Sequence, residues 1–249
     1  MAMTPHVLIV AGSDSSGGAG IARDIEIVSA FGLRSCLAVT AVTVQTHSAV
    51  ERIEQMPPEL IAAQMRAAFA ANTVAAVKIG MLGTAAAIEA VGSVLASNPQ
   101  IPAVLDPVLA STSGRVLLED DAIDTLRRDL IPVCRLVTPN LIELAKLTGS
   151  VPAPDQESAG RQGEKLSGSV GTAVLVKGGH AQGAQAVDVL LQPNRPAARF
   201  EAPRLPGGMR GTGCMLSSAI AASLALGVSL EGSVRSGKQY VFDIIARLQ

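Results

Sequence analysis

One segment near the amino terminus joins an apolar run, a glycine-rich loop and a helical pattern: HVLIVAGSDSSGGAGIARDIEIVSAFG, residues 6–32. The run before Gly12 is continuously apolar, which is typical of a strand buried on both faces. The loop that follows, GSDSSGGAG, lets the backbone approach a small ligand closely, or is an ordinary tight turn. The segment therefore predicts the first strand–loop–helix unit of a parallel sheet.

The same alternation of apolar runs and helical patterns continues along the chain. It predicts an α/β fold with a mostly parallel central sheet and helices on both faces. No repeat or linker interrupts it, so we expect one domain over residues 1–249. Two late segments alternate apolar and polar residues and predict an antiparallel edge. The predicted parallel strands are CLAVTAVTVQ, AAVKIGML, PAVLDPVLA, RLVTPN and TAVLVKGG, and the edge segments are AVDVLLQ and ARFEAPRL.

Composition excludes several classes of protein. Aromatic residues are 2% of the chain and the net charge is −1, so neither stacking rings nor a basic excess favours nucleic-acid binding. No apolar run reaches membrane-spanning length without interruption. Three cysteines without CxxC spacing argue against disulfides and structural zinc. The amino terminus lacks a basic signal-peptide region, so we expect a protein of the reducing cytoplasm.

A second glycine-rich turn, RGTGC, precedes the apolar helix MLSSAIAASLALG. Successive N–H groups of Gly211, Thr212 and Gly213 at a helix start favour an anion. The same position is expected to lower the pKa of Cys214 and make it a base or nucleophile. The alternative is a buried, inert cysteine.

Polar residues follow several of the predicted strands, where ligands bind in open parallel sheets. Asp106 and Glu143 are candidates for a Mg²⁺ site that works through water, or simply charges at helix starts. Lys177 and His180 flank the glycines of KGGH and either face phosphates or reach solvent. The dinucleotide pattern GxGxxG and the P-loop pattern do not occur.

Six motifs occur in the order found in one known family: AGSDSSGGAGIARDIE, VKIGML, LDPVLASTSG, VTPNLIELAKLTG, VLVKGGH and GTGCMLSSAIAA. In these motifs the chain resembles the hydroxymethylpyrimidine/phosphomethylpyrimidine kinases of thiamine biosynthesis, which have the ribokinase-like fold. The resemblance implies ATP-dependent phosphorylation of 4-amino-5-hydroxymethyl-2-methylpyrimidine, of its monophosphate, or of both. It also implies Mg²⁺, no nucleic-acid or membrane partner, and a homodimer.

The resemblance also implies roles for individual residues. Cys214 matches the catalytic cysteine, and Gly211, Thr212 and Gly213 match the hole that holds the transferred phosphoryl group. Asp106 and Glu143 match the metal region, and Asn140 and Lys177 the nucleotide side. The implied pyrimidine pocket consists of Gly12, Asp24, Gln45, Met81 and Val108.

The chain departs from the family pattern in its substrate-side loops. Ser15 stands where the family usually has proline, THSA follows Gln45, and Arg210 replaces a histidine before the hole. A guanidinium can grip a phosphate with two donors, so we expect Arg210 to contact the monophosphate acceptor, or else to pair with a surface carboxylate. The alternatives for the whole chain are a pyridoxal kinase and a non-catalytic protein that binds a thiamine precursor.

Overall fold

The first strand is an interior strand of the sheet in the computed structural model, which describes residues 4–111, 113–179, 184–205 and 209–248. Strand β1 (His6–Asp14) is buried on both faces. Because successive side chains alternate, Leu8 and Val10 pack into one apolar core while Val7 and Ile9 pack into the other. Burying each such side chain contributes about 1.5–3 kcal/mol. This explains why the strand is apolar without interruption.

The strands of the described ranges form one nine-stranded sheet in the order β3-β2-β1-β4-β5-β6-β7-β8-β9. The strands from β2 to β7 in this order are parallel, whereas β3, β8 and β9 pair antiparallel with their neighbours. The mostly parallel sheet and the antiparallel edge are therefore confirmed. The remaining strands are β2 (Arg34–Gln45), β3 (Val50–Gln55), β4 (Val74–Ile79), β5 (Ala103–Leu105), β6 (Leu136–Val137), β7 (Ala173–Val176), β8 (Gln185–Leu191) and β9 (Ala198–Pro203).

Helices cover both faces of this sheet. One core lies beneath α1, α7 and α8, and the other beneath α2 to α6. Across the described ranges, no helix is both long and apolar enough to span a bilayer. The helices are α1 (Gly20–Ala30), α2 (Pro58–Ala71), α3 (Ala85–Ala96), α4 (Ala122–Thr125), α5 (Leu141–Thr148), α6 (Gln156–Val170), α7 (Thr212–Ala225) and α8 (Leu230–Ala246).

Local signals account for several helix ends. Pro58 begins α2, where its missing N–H costs nothing. Gly149 ends α5 in the left-handed conformation, with φ of 62°. The predicted helix DAIDTLRRDLIP is only partly α-helical. After α4 it continues as a π-helical turn over Leu126–Leu130 and then as a 3₁₀ turn over Ile131–Val133. Pro132 lies in that turn and has no N–H to extend an α-helix.

The order of the strands reverses between β1 and β4, which lie side by side within the sheet. The loops after these two strands leave toward opposite faces, and the gap between them is where such sheets bind ligands. Gly12, in β1, and Met81, just after β4, lie at this point. The topology therefore places the predicted pyrimidine pocket at the reversal.

Candidate active site

Gly12 and Met81 lie against each other. A Cβ atom added to Gly12 would lie 3.2 Å from the Met81 Sδ, so a larger residue would crowd this contact. The Thr40 hydroxyl donates to the Met81 carbonyl at 2.6 Å and holds the chain after β4 in place. Gly12, Met81 and Gln45 are three of the residues that the resemblance assigns to the pyrimidine pocket, and we call this group the acceptor pocket.

Gln45 ends β2, and its backbone is tied to the loop after β1. The Ser15 hydroxyl donates to the Gln45 carbonyl at 2.9 Å and accepts from the Gln45 N–H at 2.8 Å. The Gln45 side-chain oxygen accepts from Thr43 at 3.2 Å. Ser15 stands where the resembled family has proline, which could not make these bonds. The serine therefore adds two hydrogen bonds between the loop after β1 and the end of β2.

Asp24, which the resemblance assigns to the pyrimidine pocket, lies in a buried ion pair. Its side chain is fully buried, and its carboxylate accepts from Lys78 Nζ at 2.7 Å and from the Ser218 hydroxyl at 2.8 Å. Burial opposes the charge on Lys78, but Asp24, Cys214 and Asp106 together outweigh it, so the pKa of Lys78 is raised. Asp24 thus joins α1, β4 and α7 beneath the site. Sequence reasoning missed Lys78, although a lysine inside the apolar run AAVKIGML was a visible signal.

Arg210 connects the end of β1 with the loop after β2. Its guanidinium donates to the Thr46 carbonyl at 3.2 Å and lies 3.6 Å from an Asp14 carboxylate oxygen. The His47 ring nitrogen is 3.5 Å away. Of the two expected placements for Arg210, the structure contains the carboxylate pair, although Asp14 is buried. The side chain keeps 25% of its surface exposed.

A second group of predicted residues meets at the carboxyl ends of β5 to β7. Lys177 Nζ donates to Asp106 at 2.8 Å and lies 3.8 Å from Glu143. A Cβ on Gly213 would lie 3.3 Å from that Nζ and 3.4 Å from Asp106 Oδ2. We call Asp106, Glu143, Lys177 and Gly213 the phosphate cluster. It joins the start of α7 to the ends of three strands.

The glycines before α7 let its first turn approach the β1–α1 loop. Gly211 is the N-cap, with φ of 75°, and a Cβ there would lie 2.5 Å from the Gly18 carbonyl oxygen. The first N–H groups of a helix have no partner within it, so those of the turn starting at Thr212 are suited to an anion. This geometry agrees with the predicted hole.

Asn140 and Glu143 cap each other at the start of α5. The Asn140 side chain accepts from the Glu143 N–H at 2.9 Å, and Glu143 accepts from the Asn140 N–H at 2.7 Å. Burial raises the pKa of Glu143 to about 7, although Lys177 opposes this. The capping box holds the Glu143 carboxylate toward Lys177. Asn140 therefore positions the cluster through the helix cap.

The expected shift of the Cys214 pKa is wrong in direction. Burial raises the pKa of this thiol to about 11, and the nearby Lys78 ammonium offsets only part of the increase. The helix start stabilises a thiolate, but burial destabilises it by a larger amount. At pH 7 only about one thiol in ten thousand is ionised.

The phosphate cluster offers two carboxylates to a cation. Within the described ranges, no three acidic, histidine or cysteine side chains gather into a metal-binding group. Mg²⁺ usually takes one or two carboxylates and completes its shell with water and substrate phosphates. The raised pKa of Glu143 marks a buried carboxylate that a cation would stabilise in its charged form. The donor set suits Mg²⁺ bound together with phosphate.

Val108 and His180 are the remaining predicted residues. Val108 follows the phosphate cluster in the loop after β5, where its N–H donates to the Asp106 carbonyl at 2.8 Å. His180 lies outside the described residues.

A ribokinase-like sheet, a glycine-rich helix start and a cluster of two carboxylates with a lysine are typical of ATP-dependent kinases of small molecules. The sequence matches the family described as phosphomethylpyrimidine kinase over residues 14–248, and the chain belongs to that family. A hydroxymethylpyrimidine/phosphomethylpyrimidine kinase of Rhizobium meliloti (strain 1021) is 41% identical, over 98% of this chain and 91% of the relative.

Solved structures agree with this assignment. A phosphomethylpyrimidine kinase from Clostridium difficile 630 has a TM-score of 0.84 at 35% identity, covering 98% of this chain and all of that one. An ADP complex of Bacillus subtilis pyridoxal kinase has a TM-score of 0.88 at 27% identity, covering 96% of this chain and 90% of that one.

Proposed function

We propose that the chain transfers the γ-phosphoryl group of ATP to the hydroxymethyl group of 4-amino-5-hydroxymethyl-2-methylpyrimidine and then to the monophosphate, in thiamine biosynthesis. One observation carries the proposal. Gly213, at the start of α7, lies directly over the Lys177–Asp106 pair, beside Cys214. A transferred phosphoryl group beside this contact meets helix N–H groups on one side and an ammonium on the other. Phosphoryl transfer needs mainly this positioning and charge stabilisation.

The acceptor is proposed to lie between Gly12, Met81 and Gln45, with its hydroxyl toward Cys214. The Gln45 amide has both a donor and an acceptor, which match the amino group and ring nitrogen of an aminopyrimidine. During transfer the acceptor oxygen bonds to the γ-phosphorus, the bond to the β-phosphate oxygen breaks, and ADP leaves. The acceptor proton passes to Cys214 in its ionised form. Because the pKa of the thiol is about 11, this form is scarce but strongly basic.

We propose that Asp106 and Glu143 hold Mg²⁺ with the nucleotide phosphates. Lys177 is already paired with Asp106, so the protein has little uncompensated positive charge to offset a triphosphate. Bound there, Mg²⁺ supplies that charge and withdraws electrons from the phosphoryl oxygens. Lys177 orients Asp106, and the α5 cap orients Glu143.

The test pairs Gly213→Ala with Gly160→Ala, two glycines that lie within helices. A methyl group added to Gly213 enters the space between α7 and the phosphate cluster. A methyl group added to Gly160 has no atom within 4 Å. We expect Gly213→Ala to lower kcat at least about tenfold by misplacing the phosphoryl group. Gly160→Ala should leave kcat unchanged. Equal rates for both variants would contradict the proposed phosphoryl site.

Pyridoxal kinase is the second candidate, because the Bacillus subtilis pyridoxal kinase has a TM-score of 0.88 with this chain. ATP consumption measured with hydroxymethylpyrimidine, its monophosphate and pyridoxal separates the two. We expect kcat/KM to be higher for a pyrimidine than for pyridoxal. The reverse order would make pyridoxal the acceptor.

We also propose a homodimer in a reducing cytoplasm. Val42 and Val44 of β2 expose 46% and 50% of their surface near the sheet edge, which supports an apolar contact with a second copy. The three cysteines are free thiols, which supports the compartment. Light scattering at micromolar concentration should give twice the chain mass, and a monomer would contradict the dimer.

A further inference from the structure

Strand β8 contains a buried charged side chain that belongs to neither apolar core. Asp188 is buried between the apolar neighbours Val187 and Val189. A valine at this position would avoid the cost of removing a carboxylate from water. The position therefore calls for a specific partner, and the structure contains two.

The first partner is the loop after β7. The Gly178 N–H donates to Asp188 Oδ1 at 2.9 Å, and Gly178 crosses β8 so closely that any Cβ would overlap the Val187 carbonyl oxygen. From the other side, Arg204 donates to the Gly178 carbonyl at 3.3 Å and to the Gly179 carbonyl. The backbone after Lys177 is thus held through both its donor and its acceptors.

The second partner is Lys238 of α8, whose Nζ donates to Asp188 Oδ2 at 2.8 Å. Both side chains are nearly buried, at 12% and 8% exposure. The preceding residue, Gly237, packs closely on α7: a Cβ there would lie 2.9 Å from Ile220. The position of Lys238 is therefore fixed relative to α7, the helix that begins at the proposed phosphoryl site.

These contacts form one connected path from α7 to the phosphate cluster. Lys177 continues it, since its N–H donates to the Pro139 carbonyl at 2.9 Å and its Nζ reaches Asp106. We propose that Asp188 is a positioning residue for the nucleotide. It acts through Gly178 to hold Lys177 at the proposed ATP phosphates, with Lys238 holding the Asp188 carboxylate in place. This rests on the proposed function, in which Lys177 faces the nucleotide.

The test separates nucleotide binding from acceptor binding. Asp188→Ala leaves the Gly178 N–H unpaired, so we expect the KM for ATP and the Kd for ADP to rise about tenfold, with the acceptor KM unchanged. Asp188→Asn still accepts from Gly178 but leaves Lys238 unpaired, so its effect should be about threefold. Adding Lys238→Met to Asp188→Asn should restore ADP affinity toward wild type.

Glu231→Gln is the matched control, because it removes an exposed charge from the same helix. It should change no constant. If Asp188→Ala does not fold, the Asn and Met variants, similar in size to the native residues, decide the question. A lower Tm with unchanged ADP affinity, or equal increases in both KM values, would overturn the proposal.

Titration of ADP needs no acceptor, so its outcome is independent of which pyrimidine is phosphorylated. Wild-type protein that binds ADP but phosphorylates no pyrimidine would contradict the proposed acceptor, and the Asp188 comparison would still decide the positioning role. Wild-type protein that binds no ADP would overturn both.

Discussion

The buried pair of Lys78 and Asp24 gives the most direct test of how the site is supported. Both side chains are fully buried and their charged atoms are 2.7 Å apart. Lys78→Met removes one charge and leaves the Asp24 carboxylate in a dry environment with only the Ser218 hydroxyl bond. Breaking a buried pair in this way costs about 3–5 kcal/mol, since the remaining charge has lost its compensation.

The cost converts into a melting shift. For 249 residues the entropy of unfolding is about 0.5 kcal/mol/K, so a loss of about 4 kcal/mol lowers Tm by about 8 °C. Urea unfolding followed by circular dichroism measures the free energy of unfolding directly. Adding Asp24→Asn removes the second charge, and we expect the double variant to recover at least about 2 kcal/mol.

The control removes an exposed pair. Glu157→Gln breaks the Arg161–Glu157 contact on α6, where both side chains are mostly in water, and should cost less than about 0.5 kcal/mol. A loss below about 1 kcal/mol in Lys78→Met, or a double variant no more stable than that single variant, would refute the reasoning. The pair would then contribute no more than the surface contact does.

Three further predictions concern the reaction. Cys214→Ala should lower kcat about a hundredfold without changing Tm. Because the pKa of Cys214 is about 11, the thiolate fraction increases with pH below that value. The kcat of the wild-type enzyme should therefore increase between about pH 7 and 9, whereas that of the variant should not. A wild-type kcat that does not change with pH would contradict the role of Cys214 as a base. Arg210→Met should lower kcat/KM about tenfold with the monophosphate and little with the free alcohol, whereas equal losses would leave Arg210 as a tie between loops. Gln45→Leu should raise the acceptor KM about tenfold and leave that for ATP unchanged, and unchanged values for both would make Gln45 only a strand end.

The sequence by itself determined the mostly parallel sheet, its antiparallel edge at β8 and β9, and several helix ends. These features depend on neighbours: an uninterrupted apolar run such as Val7 to Ala11 needs burial on both faces, and Gly149 permits the left-handed turn that ends α5. It also predicted the phosphate cluster, because residues that follow parallel strands meet at one edge. Asp106, Lys177 and Gly213 are far apart in the chain but each lies next to a strand or helix end.

Only the tertiary structure decided which charges are buried and what compensates them. Lys78 and Asp24 are 54 positions apart, and Asp188 reaches Lys238 across 50. No local pattern pairs such residues, because the pairing depends on how helices pack on the sheet. The same packing reversed the expected pKa shift of Cys214 and paired Asp24 with Lys78. Desolvation depends on how the whole core is packed, so a sequence motif alone does not predict it.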